Sequence, residues 1–140
     1  MRVIRKTHTL LDVQDPWGKT RIVFDKQRNF VYRLRSWLWV FRKPKDIVPL
    51  HRIREILVFR RFRPAKQGKH EAHYMHQVVL RVDTRTYIKL FGVAYSLEDH
   101  PHHQKLIECV EELNRFLDLF TLSVGHTVDE PRKIRYVKRI

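Results

Sequence analysis

Apolar and polar residues alternate over roughly the first ninety positions, and the period then lengthens. Residues 3–13 (VIRKTHTLLDV) mix β-branched and polar side chains and predict a first strand, closed by the turn-forming Asp15-Pro16-Trp17-Gly18. Residues 20–24 and 30–35 are two further extended runs, separated by Asp25-Lys26-Gln27-Arg28-Asn29, a length that suits a hairpin loop. In the second run, alternation predicts Phe30, Tyr32 and Leu34 on the core side and Val31, Arg33 and Arg35 facing out. Residues 47–50 form a short apolar run, residues 51–54 a turn, and residues 55–62 (EILVFRRF) a longer strand that Pro64 closes. The polar decapeptide 63–72 reads as an exposed loop. Strands at 74–82 and 86–91 meet at an Asp83-Thr84-Arg85 corner, which makes about seven strands.

Beyond them the spacing becomes helical. Leu106, Val110, Leu113, Leu117 and Phe120 recur at steps of three or four, with Ile107 and Phe116 widening the stripe. Ser96, Asp99 and Pro101 mark the helix start. Residues 121–140 leave the helix through Gly125 and Pro131 and end in RKIRYVKRI. That ending alternates well enough to add an edge strand, but its charge favours a basic arm that is disordered in isolation. The expectation is therefore one mainly β, α+β domain over residues 1–122, antiparallel strands followed by one amphipathic helix, and a basic tail over residues 123–140.

Charge adds what the periodicity cannot. The 140 residues carry a formal +14. Residues 98–118 hold six acids against Lys105 and Arg115, so the helix is −4 and the remainder of the chain +18. The positive field belongs to strands, loops and tail, and it points to an anionic partner: a membrane surface, nucleic acid or an acidic protein face. No apolar run approaches the roughly 18 residues that span a bilayer, and MRVIRKTHTL lacks a signal-peptide core. With a lone Cys109 as well, the reading is a cytoplasmic protein, peripheral at the membrane where it meets one.

The stretch FVYRLRSWLWVFRKPK (residues 30–45) concentrates the candidate chemistry. If extended, it sets Trp37, Trp39 and Phe41 on one face together with Arg33 and Arg35, and Arg42, Lys43 and Lys45 follow. Such a strip dips aromatics into a headgroup region, docks a protein, or stacks on bases; the competing reading makes a tryptophan part of the core. A secondary basic surface comprises Arg60, Arg61, Arg63 and Lys66 with Arg132, Lys133, Arg135, Lys138 and Arg139. His73 and His76 fall on opposite faces of their strand, and no cysteine or paired acid completes a metal site with them and His70; His100, His102 and His103, next to Glu98 and Asp99 at the helix entrance, read as a solvated cap or an adventitious metal contact. Nine histidines would add positive charge on mild acidification. Cys109 reads as a packed thiol. There is no P-loop, no dinucleotide glycine pattern and no acid pair in an obvious cleft, so no catalytic residue, cofactor or metal is expected.

Four segments, FDKQRNFVYRLR, IVPLHRIREILV, QVVLRVDTRTYIKL and LIECVEELNRFLDL, together resemble the bacterial pleckstrin-homology-like domains over about two thirds of the chain. The resemblance implies two packed antiparallel sheets forming a partly open barrel, with the C-terminal helix plugging one end. It also implies a phosphoinositide-type triplet, which Lys26, Arg33 and Arg35 fit, and a scaffold or assembly role of the kind its bacterial members serve.

The sequence thus favours a non-catalytic module working at an anionic membrane surface or on a membrane-associated protein complex, with nucleic-acid binding through the same surface and tail as the alternative. If Trp37 and Trp39 are contact residues, the Trp37→Ala/Trp39→Ala variant keeps its stability within about 1 kcal/mol and loses partner binding. If they are core, each truncation costs about 3–5 kcal/mol, and thermal melting separates the two outcomes.

Overall fold

Hydroxyl and carboxylate side chains fix most of the early turns. In the computed structural model, which describes residues 2–15, 20–37, 40–41, 44–69, 71–96, 100–119 and 127–140 (without the side chains of 36–37, 40–41, 93–96 and 100–102), the expected first strand is two. The Thr7 Oγ1 accepts from the backbone N–H groups of Leu10 (3.0 Å) and Thr9 (3.3 Å) and reverses the chain. Strands β1 (Arg2–Lys6) and β2 (Leu10–Gln14) therefore form a hairpin. Asp25 does the same for the next one: its Oδ1 accepts from Gln27 and Arg28 N–H, and Asn29 takes the left-handed conformation at φ 57°. This joins β3 (Thr20–Asp25) to β4 (Phe30–Trp37).

The register of that second hairpin corrects the predicted facing of β4. Phe24 pairs with Val31, Ile22 with Arg33 and Thr20 with Arg35. Ile22, Phe24 and Val31 are all fully buried in one core, so Arg33 and Arg35 continue the core face, where Arg33 is half-buried and Arg35 exposed. Phe30, Tyr32 and Leu34 lie on the opposite face and are only half-buried. The chain then turns back: β5 (Val40–Phe41) pairs with the far end of β4, so residues 30–45 are not one extended strip. Strand β6 (Lys45–Pro49) lies beside the first half of β4 and completes the first sheet.

A 3-10 turn at Leu50–Arg52 leads to the second sheet, an antiparallel meander of β7 (Glu55–Arg63), β8 (His73–Arg81) and β9 (Thr86–Ser96). Asp83 Oδ1 closes its last corner by accepting from Arg85 and Thr86 N–H. Ile56, Val58, Val78, Leu80 and Ile88 face the first sheet across the main core. Leu57, Phe59, Val79 and Tyr87 face the other way, into a second small core. The C-terminal segment covers that outer face. Its β10 (Thr127–Asp129) pairs parallel with β7, its β11 (Arg135–Tyr136) pairs parallel with β9, and Val128 and Ile134 pack on the second core. The free basic arm expected from composition is instead laid into the sheet, and with β5 and the divided first strand it raises the strand count from about seven to eleven among the described residues. Among the described residues the two sheets do not close into a barrel.

Helix α1 (His100–Phe116) buries Leu106, Cys109, Val110, Leu113 and Phe116 in the main core. Burial pushes the Cys109 thiol up to about 11, so it packs as a small hydrophobe. The helix ends when Asp118 adopts φ 54° and the Leu119 N–H bonds back to Asn114 O. Among the described residues no helix is long and apolar enough to cross a membrane.

Buried Asn114 fastens this helix to the sheet. Its Oδ1 accepts from Ile56 N–H at 3.3 Å, and its Nδ2 donates to Ile56 O at 3.1 Å and Val110 O at 3.0 Å. The amide thus imitates a neighbouring strand at the edge of β7, just before the stretch that β10 covers. Replacing it by Ala leaves both buried groups of Ile56 without this partner, an expected loss of about 2–4 kcal/mol. Urea denaturation of Asn114→Ala measures that loss.

Candidate functional site

The inward turn of β4 brings two guanidinium groups to the place where the sheets part. Arg33 sits between Ile22 on β3 and Lys45 on β6, both directly across the ladder. Two cations facing each other on adjacent strands destabilise a sheet, so the Arg33–Lys45 pair is costly unless an anion relieves it. Arg33 is half-buried, and its Nη2 donates to the carbonyls of Lys89 at 3.3 Å and Leu90 at 3.4 Å on the second sheet. A bulge makes this double contact possible. Val78 pairs with Phe91 and Val79 with Lys89, which leaves Leu90 as the extra residue in β9 and re-aims the backbone around it. Burial, with a smaller contribution from Arg35, lowers the Arg33 pKa, though a guanidinium stays charged.

Around this anchor lies a cavity of about 860 Å³. Arg33 and Arg35 on β4, Lys45 on β6, Lys89 on β9, and Lys138 and Arg139 at the C-terminus line it, with apolar walls from Ile47 and Val137. Among the described residues Asp46 is the one carboxylate in this lining, and it is already 3.3 Å from Arg28. The Tyr136 hydroxyl donates to Glu130 at 2.7 Å and lies 3.2 Å from Gln77 Oε1; burial and that carboxylate raise its pKa, so it stays protonated. The terminal segment is tied across the cleft by the Ile140 N–H, which donates to Ile47 O at 2.8 Å. Arg33 and Arg35 also line a smaller cavity of about 150 Å³ with Asp15, Thr20 and Gly92.

No protein-family model, curated protein or solved structure matches the chain.

Of the residues singled out in the sequence, Arg33, Arg35, Lys45, Lys138 and Arg139 come together. Lys26 does not join them: its Nζ lies 4.3 Å from the centre of the Phe116 ring, at the tip of the β3–β4 hairpin, so the Lys26, Arg33, Arg35 triplet is divided along the length of β4. The side chains of Trp37, Trp39, Phe41, Arg42 and Lys43 lie outside the described residues. Arg60 pairs with Asp129 at 3.0 Å and stacks on Tyr74, while Arg61, Arg63, Lys66, Arg132, Lys133 and Arg135 are exposed elsewhere. Lys89 and Tyr136 were missed because nothing local to their strands marks them. The signal available was positional: β9 alternates, so Lys89 between Ile88 and Leu90 faces away from the main core.

A second cluster of titratable groups sits at the helix entrance. His76 is 4% exposed and its ring centre lies 4.5 Å from that of His103. Burial first, then the charges of His103 and Arg60, lower its pKa to about 4. Among the described residues no group of three His, Cys, Asp or Glu side chains could hold a metal ion. His76 thus stays neutral on mild acidification. An unfolded His76 takes up its proton near pH 6.5, well above the folded value, so the stability it contributes is complete above that pH and is lost as pH falls from about 6.5 toward 4. Urea titrations at pH 7.5 and 5 test this: the wild type should lose roughly 1–3 kcal/mol more than His76→Gln over that interval.

Proposed function

We propose that the chain is a non-catalytic binding module that docks on an anionic membrane surface through the basic cleft and its rim. The observation that carries this reading is the convergence of six cations from four separate segments on one cavity, against a single carboxylate that is already partnered. A stretch of solvated surface gives no reason for Arg33 and Lys45 to oppose each other, or for Arg33 to be drawn off water. The apolar stretch of the lining at Ile47 and Val137 suits a partner that is amphipathic as well as charged. Two sheets of mainly antiparallel strands followed by an amphipathic helix also support the pleckstrin-homology-like, partly open barrel reading, including the adaptor role that goes with it. The position of Lys26 on Phe116 argues for the cleft, in place of the hairpin triplet, as the contact surface.

Each basic residue near an anionic leaflet contributes about 1 kcal/mol, so six acting together give reversible attachment that weakens with salt. Sedimentation with vesicles of neutral phosphatidylcholine, with and without phosphatidylserine, tests it. Binding is expected only to the anionic vesicles, and Arg35→Glu/Lys138→Glu should weaken it at least about tenfold. Equal, negligible binding to both vesicle types would remove the membrane from this account. Tight, salt-dependent binding to a single-stranded oligonucleotide in its place would favour a nucleic-acid partner.

A further inference from the structure

We infer that the cleft is a binding site for a compact ligand carrying two or more phosphate groups, with Arg33 as its anchor. The inference rests on reading the cleft as the contact surface and goes on to name the chemistry that enters it. A flat bilayer cannot fill a cavity of about 860 Å³, a size within the usual range of ligand pockets; what enters is a projecting group or a free small molecule.

Three features select phosphate. The first is charge. Six lining cations face one carboxylate, and that carboxylate already has Arg28, so a monoanion leaves most of the positive field unbalanced. The second is the state of Arg33. Backbone carbonyls of Lys89 and Leu90 hold its Nη2 from one side, while its Nε, shut off from solvent, has no hydrogen-bond partner among the described residues. The carbonyl contacts fix the guanidinium in the cavity wall, which pre-orients its remaining N–H donors for an anion. The third is geometry. Cations reach the cavity from β4, β6, β9 and the C-terminus, that is, from several directions. A tetrahedral phosphate, with up to three acceptor oxygens and as much as two charges, meets such a ring of donors; a planar carboxylate presents two oxygens and one charge. The wall formed by Ile47 and Val137 would meet the carbon skeleton that carries the phosphates.

Calorimetric titration of the full chain at about 0.15 M salt with inorganic tripolyphosphate, and with citrate as a carboxylate polyanion, tests the inference. Tripolyphosphate should bind in the micromolar range and at least about tenfold more tightly than citrate. Arg33→Gln should weaken it at least about tenfold, while Lys66→Gln, on the exposed loop, leaves it within about twofold. Should Arg33→Gln not fold, the exposed pair Lys89→Gln/Lys138→Gln serves instead and should give the same loss. Citrate binding equal to tripolyphosphate, or a Lys66 variant as damaging as the cleft variants, would overturn the inference. Vesicles containing cardiolipin, whose headgroup carries two phosphates, distinguish the source of the phosphate. Displacement from them by tripolyphosphate identifies a lipid headgroup, and tripolyphosphate binding without vesicle binding identifies a soluble ligand; both support the site. Vesicle binding that survives saturating tripolyphosphate and Arg33→Gln would refute the phosphate site while leaving membrane docking intact.

Discussion

The contact from Arg33 to the carbonyls of Lys89 and Leu90 is the constraint on which the functional end of this molecule depends. Ile22, Phe24 and Val31 fill the core on the first sheet and meet Ile56, Val78 and Ile88 from the second. One step further along β4 the core face carries a guanidinium where an aliphatic side chain would have continued the packing. Apolar packing has to stop there, because a charge drawn from water needs hydrogen bonds in exchange. The β9 bulge supplies two carbonyls, and the cleft beside them is lined from both sheets. The cavity is thus a consequence of where the hydrophobic stripe of β4 ends.

The C-terminal segment completes the arrangement. A three-stranded meander with apolar side chains on both faces would leave Leu57, Phe59, Val79 and Tyr87 in water and both of its edges open. Residues 127–140 cover the outer face, cap both edges, and then reach the first sheet at Ile47. In doing so they bring Tyr136, Lys138 and Arg139 into the cleft wall. One segment serves the second core and the proposed site, so truncation of the tail would act on both.

Much of the fold was legible because local signals agreed with one another. The helical stripe from Leu106 to Leu117, the Asp83 corner and the strands before it follow from periodicity and turn chemistry. The facing of β4 was not legible. Phe30, Tyr32 and Leu34 are more apolar than Val31, Arg33 and Arg35, so alternation alone points the wrong way, and only pairing with Ile22 and Phe24 decides between them. The division of the first strand rests on one threonine, Thr7, whose hydroxyl accepts from Leu10 N–H and whose own N–H donates to Leu10 O. The tail was misjudged because its partners lie about fifty to seventy residues away and its own composition resembles that of an arm. One clue was present: ILVF (residues 56–59) is apolar at successive positions, which marks a strand buried on both faces and therefore covered by something. As for the site, Arg33, Arg35, Lys45, Lys138 and Arg139 were identifiable as basic residues, but their convergence with Lys89 belongs to tertiary structure.

The most direct test of the account is a side-chain ¹H–¹⁵N NMR measurement of the arginine Nε–H groups at neutral pH. The Arg33 Nε–H should exchange slowly with water, show dipolar contacts to the β9 backbone at Lys89 and Leu90, and shift on addition of tripolyphosphate. An Arg33 Nε–H that exchanges as fast as that of exposed Arg52, with no contact to β9, would contradict it.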